Sequence, residues 1–283
     1  MTGVAVYSPQ VIEELISTSR LHSYRSVFTH LSEEEVIGAY LWNAHACAQL
    51  YPLIQIIEVS LRNAIDASLT PSRNQMWWAG GRLRYASYRS RATEPDVVQK
   101  LRDNFVKATR QVAVDKWSRY RIRIPATHAE IVAKAEFSTW EWVLDSEFYG
   151  NTLFWPAHLP SAFRGEWAGR SEIDLLTHVR DQVRSIRMFR NRVFHHEPAW
   201  KKFGISSEEE AVAHLQERVI QLSDFLKLLH GDLHIMARGK HMIEAARRAC
   251  SSEELSRFKE SSRQYRFLMR RRILRMTSSQ IKA

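Results

Sequence analysis

Several long segments of this chain begin with a serine that is followed, three residues later, by an acid. Such pairs are Ser32 and Glu35, Ser171 and Asp174, and Ser207 and Glu210. In this spacing the two side chains cap the free backbone N–H groups at a helix start, so each pair predicts the first turn of an α-helix. Few segments alternate apolar and polar residues with the period of two that indicates a strand. The chain is therefore predicted to be all-α.

Helix-forming segments fill most of the sequence and predict a helical bundle. Their expected ranges are 8–28, 32–69, 93–117, 126–145, 171–196 and 207–230. A further helix is predicted over SSEELSRFKESSRQYRFLMRRRILRM, residues 251–276, where apolar side chains interleave with arginines. We accordingly divide the chain into a helical domain over residues 1–238 and a basic helical C-terminal extension over residues 239–283.

The positive charge is concentrated in that extension. The whole chain has a formal net charge of +10, and residues 239–283 hold twelve Lys or Arg against four Glu, a net of +8. Such a balance favours a polyanionic partner, nucleic acid before an acidic membrane surface. An RNA clamp that uses Arg270, Arg271 and Arg272, a membrane-surface helix, a partner-binding helix and a helix docked on the bundle with a solvated basic face all fit the pattern.

Several classes of protein do not fit the sequence. Cys47 and Cys250 are the only cysteines and lie far apart in the chain, so the sequence supports neither a disulfide framework nor a zinc site with four thiolate ligands. There is no His-Glu-x-x-His motif and no phosphate-cradling glycine loop, so we expect neither a metal nor another cofactor. The start lacks the pattern of a secretory signal, and no apolar run is long enough to span a bilayer. We expect a soluble, cytoplasmic protein and no membrane partner.

One arginine falls within the apolar stripe of the helix predicted from Ser171. The stripe consists of Leu176, Val179, Val183, Ile186 and Val193. At about 100° per residue Arg190 lies near the middle of this face, where an unpaired guanidinium is costly to bury. A carboxylate on a neighbouring helix, a subunit interface or a bound anion such as phosphate would compensate it.

The stretch RNRVFHH, residues 190–196, places two histidines just after this arginine, and Pro198 predicts that the helix ends near them. Arginine can hold a phosphate with two parallel hydrogen bonds, and histidine, with a pKa of about 6.5, can exchange a proton at neutral pH. Together they suit RNA cleavage without a metal. In the structural alternative, His195 and His196 cap the last carbonyls of the helix while Arg190 pairs with an acid.

Three stretches of the sequence resemble the Abi-like (abortive infection) proteins of the helical HEPN superfamily. They are IIEVSLRNAI at 56–65, FSTWEWVLDSEFYGNTLFW at 137–155 and RNRVFHHEP at 190–198, in the order expected for that family. The resemblance implies a HEPN-like helical bundle over residues 1–238 and a homodimer with a cleft between its subunits. It also implies a metal-independent endoribonuclease toxin that cleaves cellular RNA in abortive infection or toxin–antitoxin defence, with an antitoxin protein as a further partner.

The resemblance also assigns roles to residues of the late motif. Arg190 would grip or stabilise the phosphate, His195 would act as general acid or base, and Asn191 would orient one of them or the scissile group. His196 corresponds to a second histidine of the Abi-like branch. Since some members of the superfamily have lost cleavage, a non-catalytic RNA-binding or regulatory protein with the same fold is the alternative.

The early motif contributes Glu58, Arg62 and Asn63 as supporting residues. Glu58 and Arg62 are four residues apart on one helix and suit an intrahelical ion pair. Alternatively, the early and late helices are neighbours and Glu58 compensates Arg190.

Further arginines are candidates for RNA binding. Arg187 precedes the late motif and Arg192 lies within it, while Arg82 and Arg84 lie among aromatic residues in QMWWAGGRLRYASYRSRA, residues 75–92. Arginines interleaved with aromatics suit unstacked bases and their phosphates. In the alternative, the tryptophans of this loop anchor it to the bundle.

Overall fold

The computed structural model describes residues 8–28, 32–70, 75–89 and 93–263, and these ranges are helical without a strand. The helices are α1 Pro9–Ile16, α2 Thr18–Val27, α3 Glu33–Leu69, α4 Asp96–Tyr120, α5 His128–Lys134, α6 Phe137–Trp142, α7 Leu159–Ala162, α8 Glu172–Phe194, α9 Glu208–Leu229, α10 Gly231–Gly239, α11 Met242–Ala249 and α12 at residues 252–263. The all-α prediction is confirmed. In these described ranges no helix is both long and apolar enough to cross a membrane.

The three serine–acid pairs begin helices as predicted. The backbone N–H of Ser32 donates to Glu35 Oε2 at 2.7 Å, and the N–H of Glu35 donates to Ser32 Oγ. Ser207 and Glu210 exchange the same two hydrogen bonds. Ser171 Oγ accepts from the N–H of Asp174. These local contacts fix the starts of α3, α9 and α8.

Two predicted helices are each interrupted once. Ser17 has a φ of 89°, which ends α1, and its side chain accepts from the N–H of Arg20 to cap α2. The segment predicted over 126–145 breaks at Ala135, where the backbone is extended. Beyond the break, Asn104 of α4 accepts from the N–H of Glu136 and donates to its carboxylate. The second break therefore depends on a contact with a distant helix.

The chain forms two compact units. Unit 1 comprises Met1–Leu53, Arg192–Ile220 and Arg238–Ala283, and unit 2 comprises Ile54–Asn191 and Gln221–Ala237. These units follow from packing, whereas the division at residue 239 follows from composition. The division into a helical domain over residues 1–238 and a basic extension over residues 239–283 stays a prediction.

Unit 1 is built on a cluster of buried aromatic side chains. Phe28 and Tyr24 of the N-terminal segment approach Trp200 edge to face, with ring centroids 5.1 and 5.3 Å apart. Phe28 also meets Trp42 of α3, whose Nε1 donates to the carbonyl of Ala249 at 2.8 Å. Burial of such large rings is a main source of stability. The indole hydrogen bond ties α11 to this core.

The described part of the basic extension belongs to unit 1 and packs on α3. A Cβ placed on Gly38 would meet the carbonyl oxygen of Phe258 at 2.7 Å, so α12 lies directly against α3. Lys259 pairs with Glu208 at 2.6 Å, and Arg263 pairs with Glu35. Of the alternatives given for the extension, residues 252–263 match the helix that docks on the bundle. The proposed clamp residues 270–272 lie outside the described residues.

In unit 2, α4 packs against α5 and α6. The loop before α4 is anchored by its tryptophans, since Trp78 stacks on Phe105 with centroids 4.0 Å apart. Trp77 donates from Nε1 to Asp66 Oδ1 at 2.9 Å, and His128 Nε2 lies 2.9 Å from the same carboxylate. The anchoring alternative for these tryptophans is therefore confirmed.

Candidate functional site

Helix α8 carries the apolar stripe that the sequence predicts. Its five stripe residues are buried, namely Leu176, Val179, Val183, Ile186 and Val193. Arg190 lies on this face with 28% of its side chain exposed. The guanidinium is thus partly removed from water and needs a compensating group.

Glu58 of α3 is that group. Arg190 Nε donates to Glu58 Oε2 at 3.2 Å, and Nη1 donates to Asn191 Oδ1 at 3.4 Å. Glu58 is 26% exposed, so the pair is only partly screened by solvent. The sequence left two partners open for Glu58, Arg62 on the same helix and Arg190 on α8, and the structure contains the contact with Arg190. The contact holds the guanidinium in one orientation.

Arg62 and Asn63 make a different contact. Arg62 donates from Nε to Asn63 Oδ1 at 3.3 Å and from Nη1 to the carbonyl of Ala133 at 3.4 Å. Within the described residues no ion pair joins Arg62 to Glu58. Arg62 therefore ties α3 to the end of α5.

The two histidines stand where α8 ends. His196 has a φ of 57°, its N–H donates to the carbonyl of Val193, and the N–H of Glu197 donates to the carbonyl of Arg192 at 2.9 Å. This pair of backbone bonds with one left-handed residue is a Schellman motif. The backbone satisfies these carbonyls itself, which leaves the imidazoles of His195 and His196 exposed. The predicted helix end is confirmed, and the expectation that the imidazoles cap it is wrong for these two carbonyls.

Sequence reasoning missed Arg20. Its Nη1 donates to the carbonyl oxygen of His196 at 2.9 Å, from a position 176 residues earlier in the chain. This bond fixes the turn that carries the histidines. No local pattern marks Arg20, because only the fold of unit 1 brings α2 to the end of α8.

The remaining candidate arginines differ in their surroundings. Arg187 Nε donates to Glu141 Oε2 at 2.6 Å and serves as counter-ion to a buried carboxylate. Arg192 pairs with Glu197 at 3.6 Å. Arg82 and Arg84 are exposed, and Arg82 donates to a carbonyl of its own loop. Arg187 is therefore the candidate most tied to the fold.

The candidate residues fall into two groups. Glu58, Arg190 and Asn191 belong to unit 2, and Arg20, His195 and His196 belong to unit 1.

No protein-family model, curated protein or solved structure matches the chain. A function for this chain therefore rests on the chemistry of the arginine, asparagine and histidine side chains of residues 190–196.

Proposed function

We propose that this protein is a metal-independent endoribonuclease of the Abi-like HEPN type that works as a homodimer. The observation that carries the proposal is the segment 190–196. It begins with an arginine held by Glu58 and ends with two exposed histidines on a fixed turn. Arginine and histidine are the side chains that phosphate binding and proton transfer near neutral pH require.

The proposed reaction needs only these groups and the RNA. A base removes the proton of the ribose 2′-hydroxyl, O2′ bonds to phosphorus, and the P–O5′ bond breaks as an acid protonates O5′. The products are a 2′,3′-cyclic phosphate and a 5′-hydroxyl. His195 acts as the acid or base, and Arg190 stabilises the charge that develops on the phosphoryl oxygens. Asn191 positions the guanidinium.

In a cell, this activity would act as a toxin in abortive infection or toxin–antitoxin defence, restrained by an antitoxin protein. The second candidate function is RNA binding without cleavage. It is favoured by the ion pairs of Arg187, Arg190 and Arg192 with carboxylates of the same chain, because these pairs give the three guanidiniums structural roles and would leave RNA binding to other cations.

The test is incubation of the purified protein with labelled single-stranded RNA in excess chelator. We expect the wild type to cut and to leave cyclic phosphate ends. His195→Gln should lower the rate by about 10²- to 10⁴-fold, the usual contribution of general acid–base catalysis. The matched control is His22→Gln, because His22 is also an exposed histidine of unit 1. RNA with deoxyribose at the cleaved position should resist, since it lacks the nucleophile.

Two outcomes would contradict the proposal. Cleavage that the chelator abolishes would require a metal mechanism. Cleavage that survives in both His195→Gln and His196→Gln would remove the segment from the chemistry. If the wild type binds RNA and does not cut it, the second candidate function stands.

A further inference from the structure

Unit 1 contains a pocket of about 450 Å³ beside the turn that carries His196. One face of α3 and the end of α8 line it, with the residues Tyr40, Asn43, Ala44, Cys47, Ala48, Tyr51, Val193 and His196. The α3 residues follow one another at intervals that keep them on one side of the helix. The volume falls in the range of roughly 300–1,000 Å³ that is typical of small-molecule sites. His196 places the pocket next in the chain to the proposed acid–base residue His195.

A buried amide in this pocket has an unused donor. Asn43 is only 5% exposed, and its Oδ1 accepts from the backbone N–H of Ala199 at 2.9 Å. That bond fixes which end of the amide is oxygen and which is nitrogen. In the described part of the chain Asn43 Nδ2 has no hydrogen-bond partner. This nitrogen is reached by solvent and is not a buried donor without a partner, so it is free to donate to an acceptor on a ligand in the pocket.

The pocket also presents an aromatic surface. Tyr51 is 43% exposed and stacks on Phe194, with ring centroids 5.2 Å apart and planes 28° apart. The phenylalanine supports one face of the tyrosine ring. An exposed, supported ring is a platform on which a base can stack.

Two cations beside the turn lack acidic partners. Arg20 binds the carbonyl of His196, and Lys201 Nζ donates to Ser23 Oγ at 2.9 Å. Among the described residues neither side chain forms an ion pair. Both are exposed and keep their full charge toward solvent. Two exposed cations beside the pocket attract the phosphates of a nucleic acid.

We propose that this pocket binds one unstacked nucleobase of a single-stranded RNA. The base stacks on Tyr51, Asn43 Nδ2 donates to an acceptor on the base edge, and a flanking phosphate contacts Arg20. This inference rests on the proposed ribonuclease function and specifies its substrate as single-stranded RNA with an accessible base. A uracil carbonyl oxygen supplies the acceptor.

The test measures binding separately from cleavage. The probe is a fluorescent 2′-O-methyl oligouridine, which has no free 2′-hydroxyl to attack phosphorus, titrated with the full-length protein by anisotropy. Ala48→Leu fills the pocket with little cost in helix propensity, and Tyr51→Ala removes the platform. Each should weaken binding by about 5- to 150-fold, the range given by stacking of a base on an aromatic ring.

Three controls separate the base from the phosphates. Tyr120→Ala removes a tyrosine of similar exposure, 49%, in unit 2 and should leave Kd unchanged. Arg20→Gln should lower the salt dependence of log K by about 0.7 for the lost phosphate contact. A probe of abasic ribose-phosphate units should bind the wild type and Ala48→Leu equally.

The outcomes distinguish the two proposals. If oligouridine binds Ala48→Leu and Tyr51→Ala as tightly as the wild type, or does not bind the wild type, the pocket proposal is wrong whatever the cleavage assay gives. If Ala48→Leu instead changes the sedimentation of the protein and leaves binding intact, a second copy of the chain occupies the groove. If binding depends on both residues while the wild type cuts no RNA, the base pocket stands and the ribonuclease proposal fails.

Discussion

The contact between Arg190 and Glu58 should stabilise the fold by a measurable amount. The two side chains are 28% and 26% exposed, and Nε lies 3.2 Å from Oε2. Exposed ion pairs contribute about 0.2–1 kcal/mol, whereas removing one partner of a buried pair costs about 3–5 kcal/mol. A pair of intermediate burial should therefore have a coupling energy of about 1–2 kcal/mol.

The assay is a double-mutant cycle on the free energy of unfolding. Urea denaturation of the wild type, Glu58→Ala, Arg190→Ala and the double variant gives the coupling directly. The cycle is needed because Arg190 also donates to Asn191, so the single substitution removes more than the ion pair. Circular dichroism would confirm that each variant stays helical.

A second cycle tests the reasoning about burial. Lys134 and Asp115 lie closer together, at 2.7 Å, but are 47% and 44% exposed. If burial decides, their coupling is smaller than that of Arg190 and Glu58 despite the shorter distance. A coupling below about 0.3 kcal/mol between Arg190 and Glu58, the usual error of additivity, would refute the claim that Glu58 compensates Arg190.

Two further predictions concern histidines. Burial, together with Arg218 and Lys202, lowers the pKa of His214 to about 4. The unfolded chain takes up this proton below about pH 6.5, so stability should be full above that pH and fall by about 3 kcal/mol as pH drops to about 4. His214→Leu should lack this loss, and an equal loss in urea titrations of both proteins would contradict the assignment. His196→Gly should stabilise by about 0.5–1 kcal/mol by relieving its left-handed backbone. His241 has the same φ of 57°, so His241→Gly should stabilise the protein in the same way and serves as the control. If His196→Gly is less stable than His196→Ala, the prediction is wrong.

The parts of the fold that depend on neighbouring residues were predictable from the sequence. Capping at Ser32 involves side chains three residues apart, and the stripe on α8 repeats with the helical period. The break at Ala135 was not predictable, because Asn104 holds the next residue from another helix. Neither was the break at Ser17, where the backbone adopts a φ that serine rarely takes.

The same distinction applies to the site. An arginine within an apolar stripe needs a compensating group, but this requirement alone leaves a carboxylate, a subunit interface and an anion open. The early motif of the resemblance added Glu58 as one of two alternatives, and the structure contains its contact with Arg190. Arg20 and Asn43 carried no comparable signal. Each bonds to the segment that follows α8. Arg20 lies 176 residues before its partner His196, and Asn43 lies 156 residues before its partner Ala199. Only tertiary structure brings such groups together.

The backbone at His196 argues that its side chain has a use other than stability. Glycine adopts a φ of 57° with less strain than histidine does, and the exposed imidazole recovers little of that cost by burial. His241 shares this φ, so a left-handed histidine alone is not a mark of function. The difference lies in the surroundings, since the carbonyl of His196 is held by Arg20 and its side chain lines the pocket that contains Asn43. Glycine at either position should therefore relieve strain, and only at position 196 should it also change the affinity for RNA.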